Sequence, residues 1–280
     1  MSASQTYRLG FIGAGKLAGS VIRGLMRAKF CAPGDIIASE PNEQTRAVLT
    51  KETGVAVTSD NANAARNSEV IFIGVKPGMV LGVLKDLAPR LENKLVISLA
   101  GGVRICSMEK NANARFMRAL TNTPSAICKA ATGITRGSRS SNEDVDLAKK
   151  IFSAIGVVVE VTEPQIDIVT ALSGSGPAFV YTIIDALAKG GVKLGLPENV
   201  SGELAIQTIL GAAELMRETK MSAEELIKMV VTPGGTTAAG LAVMEKMKTS
   251  ESLIAAVETA TKRGQEMAEE TKSEILISKS

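Results

Sequence analysis

Two glycine-rich segments, one near each end of the chain, hold the residues best suited to chemistry. The first, Gly10-Phe11-Ile12-Gly13-Ala14-Gly15-Lys16-Leu17-Ala18, contains Gly13-x-Gly15-x-x-Ala18 between an apolar run and a stretch of helical spacing. This is the spacing of a dinucleotide-binding turn. The first glycine makes the bend, and the second lets a pyrophosphate approach the backbone. The small third residue lets helix and strand pack, and the helix start offers unpaired N–H groups. The second segment, Thr232-Pro233-Gly234-Gly235-Thr236-Thr237, sets glycines and hydroxyls at a helix start, where they face an anion. Leu172-Ser173-Gly174-Ser175-Gly176-Pro177-Ala178 reads as another helix start, opened by a cap residue and a proline.

Further candidates fall at strand ends. Glu40 lies about 20 positions past the first segment, where an acidic residue bonds the adenosine ribose and favours NAD. Ser39, Asn42 and Arg46 beside it would instead serve a 2′-phosphate. Gly74-Val75-Lys76-Pro77 and Leu99-Ala100-Gly101 end two later strands, and the ligand of an open α/β sheet lies beyond such ends. Asn122, before Thr123-Pro124, is either a nicotinamide contact or an Asx turn.

Other chemistries are excluded by composition. The 280 residues include no histidine, which removes imidazole triads, Cys-His pairs and imidazole metal sites. Cys31, Cys106 and Cys128 are too few and too far apart for a zinc site or a disulfide scaffold, and they fit a reducing cytoplasm. The net charge of +3 comes from 32 basic and 29 acidic residues with no basic run, so nucleic acid is not expected as a partner. The opening MSASQTYRLGF lacks the pattern of a signal peptide. Charged residues interrupt every apolar stretch before it reaches the ~18 residues of a membrane span.

The elements that position these residues follow from periodicity. Strand-like runs at Arg8–Ile12, Asp35–Ser39, Val55–Val57, Val70–Val75 and Leu95–Leu99 alternate with helical spacing. Weaker runs follow at Arg115–Ala119, Ala131–Thr135 and Val157–Val161, with a helix from about Asn142 to Ile155 before the last. Beyond Val161 only helical periods occur, as at Phe179, Ile183, Ile184 and Leu187. The fold class expected is α/β: an N-terminal Rossmann-type, doubly wound, mostly parallel sheet over residues 1–163, then an all-helical domain over 164–280. The apolar richness of those helices points to a homodimer at least, with larger homo-oligomers left open. The polar tail beyond Glu269 is expected to fray.

Taken in order, GFIGAG, VKP, AGGV, TNTP, LSGSGPAFVY and VVTPGGTTAAGL resemble the pyrroline-5-carboxylate reductase family from about Leu9 to the last helix. The resemblance implies a helical dimerisation domain, and NADPH or NADH reducing the C=N bond of 1-pyrroline-5-carboxylate to L-proline. It assigns cofactor contacts to Ile12, Gly13, Ala14, Gly15, Lys16, Leu17, Glu40, Asn61, Gly74 to Pro77 and Leu99 to Gly101. It places the substrate carboxylate on Thr232, Gly235, Thr236 and Thr237, with Thr237 nearest the imine and so the catalytic candidate. Glu40 stands where relatives often carry a small or amide residue, and Lys189 where aspartate is common. A β-hydroxyacid dehydrogenase shares the layout but needs a lysine early in the first long helix, and none precedes Lys189. A cofactor sensor without turnover would not be expected to keep TPGGTT intact.

Overall fold

A computed structural model describes residues 6–277, with side chains described through 269. The first half alternates as expected: β1 (Tyr7–Ile12), α1 (Lys16–Arg27), β2 (Ile36–Ser39), α2 (Glu43–Thr53), β3 (Ala56–Thr58), α3 (Asn61–Arg66), β4 (Ser68–Ile73), α4 (Val80–Leu91), β5 (Leu95–Ser98), α5 (Ile105–Glu109), β6 (Arg115–Leu120), β7 (Ala130–Arg136), α6 (Asn142–Ser153) and β8 (Gly156–Glu160). The sheet order is β3-β2-β1-β4-β5-β6-β7-β8, parallel throughout except between β6 and β7. All eight expected strands are present, with ends shifted by a residue or two.

The sheet is buried on both faces, so its inner strands read as unbroken apolar runs. Alternate residues serve opposite cores. Phe11, Phe72, Ile97 and Met117 pack under α1 and α6, while Ile12, Ile71, Ile73 and Val96 pack under α4 and α5. Phe11 and Phe72 stack with ring centroids 4.5 Å apart, and Phe152 of α6 meets Phe72 edge-on.

The rest of the chain is helical: α7 (Glu163–Val169), a π-turn (Thr170–Gly174), α8 (Gly176–Lys193), α9 (Glu198–Thr219), α10 (Ala223–Val230), α11 (Thr236–Lys246) and α12 (Thr249–Ile277). The tail expected to fray after Glu269 stays in helix through Ile277, and its last three residues lie outside the described ones.

Two compact units result, residues 1–175 with 258–280, and residues 176–257. By this division α7 and the π-turn group with the sheet, and the last helix is divided. Ion pairs hold α7 on the sheet. Fully buried Arg118 of β6 stands 3.5 Å from both Glu163 and Asp167, and Arg104 stands 3.4 Å from Asp167. The end of α12 packs on Gly102, where a Cβ would lie 3.0 Å from Met267 Cβ.

Among the described residues of the second unit, only Ser201 and Ala205 are buried. There α8 and α9 pair closely: the Ser201 hydroxyl donates to the Ala188 carbonyl at 2.7 Å. Leu187, Leu204, Ile206, Leu210, Val243 and Ile254 are all exposed. A unit with this surface has almost no core of its own. The helical run Glu163–Lys193 is by length and composition alone long and apolar enough to cross a membrane, with a mean hydropathy of 1.2 over its most apolar 18 residues, although Asp167 and Asp185 interrupt it.

Candidate active site

The carboxyl ends of β1, β2, β4, β5 and β6 lie side by side, and the order turns back between β1 and β4. This is the switch point at which doubly wound sheets bind ligands. The loops after these strands carry Gly13 to Leu17, Ser39 and Glu40, Gly74 to Pro77, Leu99 to Gly101, and Asn122. Asn61, at the start of α3, joins them by accepting the Ser39 hydroxyl at 2.7 Å.

Gly13 has φ +86°, and a Cβ there would meet Val75 Cγ1 at 2.7 Å, so only glycine fits the bend. The amides of Gly13 and Ala14 both donate to the Ser39 carbonyl, at 2.9 and 3.0 Å. The donors left for a pyrophosphate are thus the first-turn amides from Gly15 to Leu17, since α1 has no side-chain cap. Nothing lies within 4 Å of the place a Gly15 Cβ would take. Alongside is a cavity of about 260 Å³ lined by Ala14, Gly15, Lys16, Arg23, Glu40, Thr45 and Leu49. Open space, free amides and a wall carrying Lys16, Arg23 and Glu40 fit a dinucleotide's pyrophosphate and adenosine half. Sequence reasoning missed Arg23, Thr45 and Leu49 in this wall, since no motif marks a helix residue that turns toward a loop.

Around Glu40 the three side chains weighed as 2′-phosphate ligands are otherwise engaged. Ser39 is fully buried, with its hydroxyl on Asn61, which corrects its assignment as a side-chain cofactor contact. Asn42 caps α2, accepting from the Thr45 amide at 2.9 Å. Arg46 Nη1 donates to the carbonyls of Glu40 and Pro41 at 2.7 and 2.8 Å, and Arg23 pairs with Glu52 at 2.6 Å. Among the described residues the Glu40 carboxylate accepts only the Asn42 amide, at 3.1 Å, and the residue is half-buried.

Lys76 is exposed and Pro77 half-exposed, while Leu99 and Ala100 are buried. Asn122 is buried, its Nδ2 donates to the Ser173 carbonyl at 3.0 Å, and its Oδ1 accepts from the Ala131 amide at 3.2 Å. An amide engaged in this way is a structural tie and not an Asx turn. LSGSGPA opens α8 at Gly176 with Pro177 second, as expected, directly after the π-turn, whose Thr170 carbonyl accepts the Ser175 amide from five residues on at 2.9 Å.

In the second unit, TPGGTT opens α11 as expected. Gly235 is the N-cap without a side-chain bond, and its amide donates to the Thr232 carbonyl at 3.0 Å. Thr236 is exposed and Thr237 half-buried. Among the described residues, neither hydroxyl has an intramolecular partner, so both remain free beside the unpaired first-turn amides. Among the described residues no three His, Cys, Asp or Glu side chains cluster as a metal site would require. Burial and the neighbouring Asp35 push the Cys31 thiol up, away from a reactive thiolate.

Two family models match the chain. Residues 163–267 match pyrroline-5-carboxylate reductase dimerisation, and residues 8–102 match NADP oxidoreductase, coenzyme F420-dependent. The pyrroline-5-carboxylate reductase of Synechocystis is 42% identical over 261 residues, covering 93% of this chain and 98% of that protein. The Glycine max enzyme of the same name is 38% identical over 267 residues, covering 95% and 97%. Plasmodium falciparum pyrroline carboxylate reductase, whose crystal structure has NADP bound, is 30% identical with TM-score 0.87, over 95% of this chain and 100% of that one. A glycine turn at the switch point of a doubly wound sheet, joined to a helical dimerisation region, defines a dinucleotide-dependent oxidoreductase. Within that class, the chain belongs to the pyrroline-5-carboxylate reductase family.

Proposed function

We propose that this chain reduces the C=N bond of 1-pyrroline-5-carboxylate to L-proline with NAD(P)H, the last step of proline synthesis. The observation that carries this is the end-to-end match, at 42% identity, with a relative of that name. When bound, the reduced nicotinamide supplies the hydride. The amides from Gly15 to Leu17 hold the pyrophosphate, and Gly74 to Pro77 and Leu99 to Gly101 line the rest of the crevice. Thr232, Gly235, Thr236 and Thr237 hold the substrate carboxylate, as the free amides and hydroxyls of α11 support. The Thr237 hydroxyl hydrogen-bonds the ring nitrogen. A protonated imine is already electron-poor, so the protein need not provide a strong acid, which suits a chain without histidine. Its contribution is alignment, which in favourable cases removes ~7–11 kcal/mol of barrier.

NADH serves at least as well as NADPH. A 2′-phosphate would face the Glu40 carboxylate, while Arg46 and Arg23 are held by other partners. The working form is a homodimer at least, because a second copy covering the apolar surface of α8 to α11 accounts for it better than lipid would. We place it in the cytoplasm, as its free cysteines support, with neither membrane nor nucleic acid as a partner. The test is pyrroline-5-carboxylate-dependent loss of nicotinamide absorbance with each cofactor, in wild type and Glu40→Ser. Loss with NADH, and a shift toward NADPH of about tenfold in the variant, are expected. Turnover only of a 3-hydroxy acid with NAD(P)⁺ would sink the reductase reading, and a strong wild-type preference for NADPH would sink the cofactor reading.

A further inference from the structure

We infer that Asn122 is a positioning residue for hydride transfer, acting through the Ser173 carbonyl to fix the π-turn at the nicotinamide end of the crevice. This rests on the reductase reading above. Glu40 on β2 marks the adenosine end and the α1 start marks the pyrophosphate, so the nicotinamide half falls toward β5 and β6.

The need for Asn122 is written into the chain. In a regular helix the Ser173 carbonyl would accept the amide of residue 177, but Pro177 has none. The hydroxyls nearby offer no substitute, since Thr170 and Ser173 donate theirs back to the carbonyls of Ile166 and Val169, both at 2.9 Å. The Asn122 amide, 3.0 Å away, fills the vacancy, and its other end is fixed by the Ala131 amide. Left without a donor, this part-buried carbonyl would have to turn toward water, so this bond determines where the turn sits. Upstream, Arg118 on the same strand holds α7 through Glu163 and Asp167, so α7 cannot shift to compensate. The turn lies beside the cofactor loop itself: Thr170 Cγ2 would be in ordinary contact, 3.4 Å away, with a Cβ placed on Gly101. A displaced turn therefore displaces the loop beneath the nicotinamide and leaves the adenosine end alone.

The test uses Asn122→Asp, which keeps the acceptor for Ala131 and loses the donor for Ser173. Wild-type turnover, measured first, tests the reductase reading separately. In the variant, kcat should fall about 10- to 100-fold. The dissociation constant for ADP-ribose, which lacks nicotinamide, should not change. The fluorescence of bound NADH should move toward that of free NADH, a readout independent of turnover. Asn122→Ala should cost less kcat in a Pro177→Ala background, where residue 177 regains an N–H for the Ser173 carbonyl. An Asn122→Asp enzyme with wild-type kcat and NADH fluorescence overturns the inference. So do losses that track only the folded fraction, or an equal cost in both backgrounds. If neither single variant folds, the Asn122→Ala/Pro177→Ala double variant decides: recovery of folded, active enzyme supports the inference, and continued failure overturns it.

Discussion

In the proposed mechanism the residue on which the chemistry turns is Thr237. The residue is half-buried, and among the described residues its hydroxyl has no intramolecular partner and lies next to unpaired helix amides. Thr237→Val keeps the shape and removes the hydroxyl, so kcat/KM for the imine should fall about 100-fold while cofactor binding holds. An unchanged kcat/KM would leave Thr237 without a catalytic role. The pH profile is a second consequence at this scale. No imidazole titrates near neutrality, and the Cys31 thiol is pushed upward. Rate changes between about pH 6 and 8 should then follow protonation of the imine substrate. Gly13, Gly15 and Glu40 were legible in the sequence because spacing alone marks them. The Ser39–Asn61 and Asn122–Ser173 ties were not legible because the partners are distant in the chain, and a polar residue at a strand end looks the same whether it faces ligand or backbone.

At the scale of elements, α7 is tied to the sheet by charge. Burial draws the Arg118 guanidinium pKa down, against the pull of Asp167 and Glu163. Asp167→Ala would leave that buried cation with a weaker partner set, and should cost about 3–5 kcal/mol in denaturant unfolding. A loss no larger than that of an exposed ion pair would show that the network carries little. At the sheet edge, the hydrogen bond from Lys149, aided by Arg136, holds the Glu160 carboxyl below its usual range. A depressed folded pKa contributes stability above the unfolded value of about 4.3, and that contribution is lost as pH falls through the folded value. Glu160→Gln should therefore lower Tm modestly at pH 7, and the gap should close on acidification; a pH-independent gap would contradict the assignment. The strands were readable because buried parallel strands are continuous apolar runs. The docking of α7 on the sheet was not, since Arg118 in β6 and Asp167 in an apolar helix signal their pairing only once folded.

Across the whole molecule, the second unit is a set of helices with almost nothing buried within one chain. Apolar periodicity gave the helices, and the family model gave their dimerising role. If a second copy supplies the missing core, dilution should lower Tm and expose these helices together, whereas a concentration-independent Tm in a sedimenting monomer would refute an obligate dimer. The active site and the assembly serve one reaction, and its most direct test follows the transferred hydrogen. Reduced cofactor deuterated at the transferring nicotinamide carbon should deliver deuterium to proline, at the ring carbon beside nitrogen and remote from the carboxylate. Proline without deuterium there, or no proline at all from 1-pyrroline-5-carboxylate, would contradict the account.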